Sequence, residues 1–198
     1  MKHILRSSSH LLLRVILVCA LSFMSITIIS ISPELMIPFL AIFYFIVMLY
    51  FFTFTMWHAG VQDINKVKLN TQKETLYKGF LSALIVVLPL CMFNIIPLFF
   101  DLSQSNIFYT IFGIIKVVFS MCCVFAITFI TGGNAMTFAE NEGEAVQPIN
   151  AILSTEIYCI MMIIFVIGAG IGYIFGYKRI EIFPPLYKNI KKMFGIKE

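Results

Sequence analysis

The segment ILSTEIYCIMMIIFVIGAGIGYIFG, Ile152–Gly176, contains one acidic or basic side chain, Glu156, in an otherwise apolar run. About 20 apolar residues in a helix cross the ~30 Å hydrocarbon core of a bilayer. A helix is required there because lipid offers no hydrogen-bond partners to the backbone. The segment therefore predicts a membrane-spanning helix.

Four further apolar runs of similar length precede this segment. They are Leu11–Ser32, Leu35–Trp57, Phe80–Phe100 and Ile107–Thr131. Across all 198 residues, 60% are hydrophobic and only 12% are charged, against about 25% charged in soluble domains. This composition excludes a soluble globular domain, a disordered tail and a disulfide-rich module. It predicts an all-α, polytopic transmembrane bundle that forms a single domain over residues 1–198.

Basic residues orient such a bundle, because the ends of spans that carry Lys and Arg stay in the cytoplasm. The three basic stretches contain Lys2, Arg6 and Arg14; Lys66, Lys68, Lys73 and Lys78; and Lys178, Arg179, Lys188, Lys191, Lys192 and Lys197. Both termini are therefore predicted to be cytoplasmic. Five simple crossings would place the basic tail outside, whereas an even number of crossings places all three stretches inside. The net charge of +4 reflects this orientation and does not indicate nucleic-acid binding.

The fourth run is the weakest candidate for a full crossing. Lys116 lies within it, and a charge at mid-bilayer costs a few kcal/mol on insertion scales. The run ends in the helix-breaking sequence Thr131-Gly132-Gly133-Asn134. We predict four full crossings, with segment 107–131 re-entrant, interfacial or packed inside the bundle. The alternative is five crossings with Lys116 extending to the near interface.

The connections between runs predict how neighbouring helices are arranged. Ser32-Pro33-Glu34 is a short turn, so the first two helices should form an antiparallel hairpin. The second helix should end near Trp57, where amphipathic rings favour the headgroup region. Thr71 and Glu74 have the spacing of a capping box, which predicts that the third helix begins there.

Three glycines, Gly168, Gly172 and Gly176, lie four residues apart in the last span. Small residues on one face of a helix let another backbone approach closely, and in lipid this packing holds helices together. The pattern favours packing within the bundle. Self-association or contact with another membrane subunit is the alternative.

Polar residues inside apolar runs form a second set of candidates. Asn94 lies between Pro89 and Pro97, and a kinked helix with a polar group near mid-depth is typical of transporter binding sites. Asp101, Lys116 and Glu156 are ionisable residues within or beside spans, so each is a functional candidate. The alternatives are a tolerated kink for Asn94 and a structural ion pair for Lys116 with Asp101 or Glu156.

The tail, about residues 182–198, is predicted to form a short basic amphipathic helix. Lys188, Lys191 and Lys192 lie opposite an apolar face, a pattern that binds anionic lipid headgroups. An ordinary positive-inside tail is the alternative.

No catalytic motif is present: the chain lacks H-E-x-x-H and G-x-S-x-G, the patterns of zinc proteases and serine hydrolases. The five cysteines form no C-x-x-C pair. We therefore expect no catalytic residues, no cofactor and no metal site.

Three short motifs carry a resemblance to a known group of proteins. They are Gly60–Val67 (GVQDINKV); Lys78-Gly79-Phe80 with Pro89; and the ending Gly172-Tyr173, Gly176–Ile180 and Leu186-Tyr187-Lys188. With these motifs the chain resembles small, uncharacterised multi-pass membrane proteins of Gram-positive bacteria. The resemblance implies a bacterial plasma-membrane location and no established activity. Two functions remain: a non-enzymatic accessory or interaction subunit, or a small-solute carrier or membrane-embedded binding subunit of a transporter.

Overall fold

The computed structural model describes residues 2–29, 33–69, 76–96, 118–131 and 148–180, which form helices and turns without a strand. The helices are α1 (Lys2–Ile29), α2 (Pro33–Lys68), α3 (Lys78–Ile95), α4 (Val124–Ile130) and α5 (Pro148–Tyr177), with a 3₁₀ turn at Met121–Cys123 before α4. Four of them, α1, α2, α3 and α5, are long and apolar enough to cross a membrane. The predicted all-α fold with four crossings and a shorter apolar segment is confirmed.

Contacts between the helices establish their directions. Arg14 of α1 lies over Phe51 of α2, and Ser25 bonds Tyr44 at 2.5 Å, so α1 and α2 form the predicted antiparallel hairpin. In contrast, α2 and α5 run parallel, because Gly168 faces Leu49 and Gly176 faces Trp57.

The helix α3 is antiparallel to α5. Its first turn lies against the end of α5, where Gly79 contacts Ala169 and Tyr173. As a result α1 and α3 begin, and α2 and α5 end, at one end of the bundle. We call this the basic end, defined by Lys66, Lys68, Lys178 and Arg179.

Since α3 ends and α5 begins at the opposite end, the chain between them makes no net crossing. Together with the turns before it, α4 belongs to a shorter apolar helix, Val118–Ile130, about 20 Å long, which is less than the ~30 Å hydrocarbon core. It packs inside the bundle, where Phe125 stacks on Tyr44 at 5.3 Å between ring centroids. The positions of the ends of α3 and α5 thus favour four crossings over five, and Lys116 lies outside the described residues.

The core is formed by apolar side chains of all five helices, with α5 packed along α2 and α3. Ring contacts of Phe165 with Phe45 and Phe52, at 5.5 and 5.6 Å, fill the space between α2 and α5. Apolar side chains also cover the outside, including Leu13, Phe39, Ile163 and Ile167. A bundle with apolar residues inside and outside is suited to lipid contact.

Three predicted helix ends were wrong. The helix α1 begins at Lys2 instead of Leu11, so its basic residues lie on the helix and not before it. The helix α2 continues to Lys68, because Gly60 and Asp63 of its last turns pack against α5. The helix α3 begins at Lys78 after a turn at residues 76–77; the capping-box residues Thr71 and Glu74 lie outside the described residues.

Candidate functional site

A buried carboxylate joins three helices at the basic end. Asp63 of α2, Lys78 of α3 and Tyr173 of α5 are 3%, 3% and 1% exposed. One oxygen, Asp63 Oδ2, accepts hydrogen bonds from Lys78 Nζ and from the Tyr173 hydroxyl at 3.0 Å. We call these three residues the Asp63 cluster.

A second ammonium approaches the same carboxylate from the rim. Lys66 Nζ lies 3.4 Å from Asp63 Oδ1, and its side chain is 35% exposed. The carboxylate thus faces two ammonium groups and one phenol, so the group of four carries a net positive charge when Asp63 is ionised. Hydrogen bonds to a charged acceptor are about twice as strong as those between neutral groups, which offsets part of the cost of burying these charges.

Two glycines let the helices approach closely enough to form this cluster. A Cβ atom on Gly60, one turn before Asp63, would collide with the Tyr173 carbonyl oxygen and lie 2.7 Å from the Tyr177 nitrogen. A Cβ on Gly79, directly after Lys78, would collide with the Tyr173 side chain. Both α2 and α3 therefore contact α5 at Tyr173 through positions that only glycine fits.

The rim of the cluster is closed by contacts between the ends of α2 and α5. Trp57 Nε1 donates to the Ile180 carbonyl at 2.9 Å, and Arg179 Nη2 donates to Asn65 Oδ1 at 2.7 Å. Arg179 has a φ of 57°, the left-handed conformation that ends many helices and usually requires glycine. The chain after α5 consequently turns back toward α2.

The burial of the Asp63 cluster limits its chemistry. A carboxylate, an ammonium and a phenol can each exchange a proton, and charged residues inside membrane proteins often mark ion or proton pathways. Here all three groups are buried, and the ammonium and the phenol both bond the carboxylate. Proton exchange with solvent therefore passes by the partly exposed Lys66 ammonium at the rim or requires α2, α3 and α5 to separate locally.

The glycine stripe predicted from the sequence lies against α2 of the same chain. A Cβ on Gly172 or Gly176 would collide with the carbonyl oxygen of Thr53 or Trp57, respectively. At Gly168 the contact is with a side chain instead, 2.7 Å from Leu49 Cδ1. The stripe leads directly to the Asp63 cluster, since Tyr173 follows Gly172.

The structure separates the other predicted polar residues from this cluster. Asn94 is buried in the last turn of α3 and donates to the Leu90 carbonyl at 3.1 Å. It lies about 24 Å along the helix from Lys78, toward the opposite end of α3, and its role as a polar site within the membrane stays a prediction. Glu156 is exposed early in α5, also toward the opposite end. The predicted residues Asp101, Lys116, Lys188, Lys191 and Lys192 lie outside the described residues.

Sequence reasoning missed the Asp63 cluster because the second helix was predicted to end near Trp57, which places Asp63 after its end and away from the last span. A signal was present: Asp63 follows Gly60 by one helical turn, and Lys78 directly precedes Gly79. Small residues let helix backbones approach closely in a membrane, so these glycines indicate where helices could meet, although not which charges pair. Asp63, Lys78 and Tyr173 also belong to the three separate motifs that carry the family resemblance.

A second polar region lies toward the opposite end, where the cysteines meet. The Phe119 carbonyl is approached by Cys122 Sγ at 3.2 Å and by Cys19 Sγ at 3.9 Å, and Cys122 and Cys123 have sulfur atoms 3.8 Å apart. Within the described residues, no three His, Cys, Asp or Glu side chains are arranged to hold a metal ion. The Tyr158 hydroxyl is buried and has no hydrogen-bond partner in that part of the chain.

Comparison with protein-family models, with curated proteins and with solved structures gives no match.

Proposed function

We propose that this chain is a non-enzymatic accessory or interaction subunit of a bacterial plasma membrane, with both termini in the cytoplasm. The observation that carries the proposal is the Asp63 cluster. Its ammonium and its phenol both bond the carboxylate, so the three groups hold helices together and are not free to act on a substrate. A rigid bundle of this kind serves to present a surface to another protein.

The surface suited to a partner is the exposed face of α5. Ile160, Ile163, Ile167 and Ile171 recur at helical spacing and are exposed. Isoleucine has few rotamers in a helix, so packing against it costs little side-chain entropy. Because the glycine stripe is covered by α2, we assign the partner, a transmembrane helix of another membrane subunit, to this isoleucine face.

Photo-crosslinking in intact cells tests this assignment. A photo-crosslinking amino acid placed at Ile163 should give one discrete heavier adduct after irradiation. The matched control is Leu84, an exposed apolar residue of α3, which should give no discrete adduct. Adducts at neither position, or equal adducts at both, would contradict the proposal.

The second candidate function is a small-solute carrier or the membrane-embedded binding subunit of a transporter. The Asp63 cluster also favours this candidate, because an ionisable residue buried in a membrane bundle often lies on a transport pathway. Tyr173→Phe should then reduce solute uptake in cells that need the protein while leaving its amount in the membrane unchanged. Unaltered uptake in Tyr173→Phe, Asn94→Ala and Lys116→Leu would exclude the carrier.

A further inference from the structure

Arg14 occupies an unusual place in the bundle, halfway along α1 and beside α2. Its guanidinium lies 5.2 Å from the ring centre of Phe51 and 5.8 Å from that of Phe54. The neighbouring α1 residues Leu13 and Leu17 are 66% and 51% exposed. The guanidinium therefore lies in a groove between α1 and α2 that opens toward lipid.

The position of Trp57 on α2 indicates how deep this groove lies in the membrane. Phe54 precedes Trp57 by three residues, about 5 Å along a helix, and the Trp57 indole bonds Ile180 at the basic end. Tryptophan marks the headgroup level of a membrane. Arg14 lies near the centre of the candidate span Ile4–Ser25. Because side chains of α1 tilt toward its N-terminus and a long arginine side chain can extend toward the interface, the guanidinium is directed toward the headgroups at the basic end.

No carboxylate in the described part of the chain is placed to balance this charge. Only Asp63 and Glu156 have described acidic side chains. Asp63 is bonded to Lys78, Lys66 and Tyr173, and Glu156 is exposed toward the opposite end. The faces of Phe51 and Phe54 attract the guanidinium, but they do not accept hydrogen bonds from its five N–H groups as the oxygens of a phosphate do.

Two histidines add hydrogen-bonding capacity around the guanidinium. His58 of α2 shares the Phe54 ring with Arg14: its imidazole stands edge-on to that ring at 4.5 Å, and the guanidinium lies 5.8 Å from the ring centre. His10 is exposed one turn before Arg14, on the same face of α1. The groove therefore offers a fixed cation and two imidazoles to one ligand.

We infer that the groove formed by His10, Arg14, Phe51, Phe54 and His58 binds the phosphate of an anionic phospholipid. The guanidinium contacts the phosphate oxygens through paired N–H groups, and the acyl chains lie along the exposed leucines of α1. This lipid site is independent of the proposed interaction function, because it lies on α1 and α2 and not on the isoleucine face of α5.

Native mass spectrometry of the full chain in mild detergent tests the site, with phosphatidylglycerol and phosphatidylcholine as probes. Phosphatidylglycerol should remain bound to the wild type, and Arg14→Gln should lower its retention about fivefold. Arg6→Gln is the control, because Arg6 is exposed two turns farther out on the same helix and should retain the lipid. Inorganic phosphate added in excess should not displace the lipid.

Three results would overturn the inference: equal retention in Arg14→Gln and Arg6→Gln, equal binding of phosphatidylcholine, or displacement by inorganic phosphate. Size-exclusion chromatography checks that the variants are folded. If Arg14→Gln is not monodisperse, the Arg14→Lys variant is used instead. Lysine keeps the positive charge but lacks the planar guanidinium that can donate paired hydrogen bonds to a phosphate. That variant should retain about half the lipid, and full retention would also overturn the inference.

Discussion

At the residue scale, the Asp63 carboxylate should be the most sensitive group in the bundle. Asp63→Asn leaves the Lys78 ammonium buried without a counter-charge, and breaking a buried ion pair in this way costs about 3–5 kcal/mol. We expect a loss of that size in the free energy of unfolding of the purified protein in detergent. Lys66→Gln removes the half-exposed partner and should cost less than about 1 kcal/mol.

A paired substitution distinguishes the ion pair from simple packing. Replacing both charges, as Asp63→Leu with Lys78→Met, leaves no buried charge unpaired and should cost less than Asp63→Asn alone. If the double variant is as unstable as the sum of its two single variants, the pairing of Asp63 with Lys78 is not what stabilises the basic end.

Two buried tyrosines of α5 form a natural comparison. The Tyr173 hydroxyl donates to Asp63, so Tyr173→Phe should cost about 1.5–3 kcal/mol of unfolding free energy, the value of a hydrogen bond to a charged group. The Tyr158 hydroxyl is buried without a partner in the described part of the chain. Tyr158→Phe should therefore be neutral or stabilise by about 1 kcal/mol. Thermal unfolding of both variants measures the difference, and equal effects would contradict it.

The candidate site was only partly predictable at this scale. Tyr173 was placed correctly in a span because hydropathy alone locates it. Asp63 and Lys78 could not be paired from the sequence, because nothing in it states that α2 extends eleven residues past Trp57 to Lys68. The pairing of distant residues depends on the close approach of backbones at Gly60 and Gly79, which is a tertiary property.

At the element scale, the glycine stripe should respond in a graded way to the addition of one methyl group. At Gly172 and Gly176 the methyl meets backbone carbonyls of α2 that cannot move aside, whereas at Gly168 it meets the flexible end of Leu49. Gly172→Ala and Gly176→Ala should each cost about 1–3 kcal/mol, and Gly168→Ala less. Ile171→Ala, on the exposed face of the same helix, is the control. Unfolding curves that rank Gly168→Ala equal to the other two would rule out backbone contact as the cause.

The positions of the helices could be predicted where the bilayer determines their length and composition. The ends of the helices could not be predicted where contacts between helices determine them. The four spans follow from hydropathy because a bilayer imposes a length and an apolar composition. The ends of helices at the basic end depend on other contacts: α3 begins at Lys78, whose ammonium bonds Asp63. Thr71 and Glu74, which suggested an earlier start, match a short capping pattern that recurs by chance, and both lie outside the described residues.

At the scale of the whole molecule, the directions of the four long helices allow a test of the rule that the basic side of a membrane protein faces the cytoplasm. All of them begin or end at the basic end, which carries Lys66, Lys68, Lys178 and Arg179. Positive charge near the ends of spans holds that side in the cytoplasm. The helix α3 ends and α5 begins at the opposite end of the bundle, so an even number of crossings is expected, and with it both termini on one side.

The corresponding prediction uses reporters at the two ends of the chain. A reporter active only in the cytoplasm should be active when fused before Met1 and when fused after Glu198, and a reporter active only outside should be inactive at both positions. The physical reason is that four crossings return the chain to its starting side, whereas five do not. Opposite sides for the two fusions would mean that segment 107–131 crosses the membrane. Both fusions outside would keep the four-helix topology and overturn the rule that the basic end faces inward.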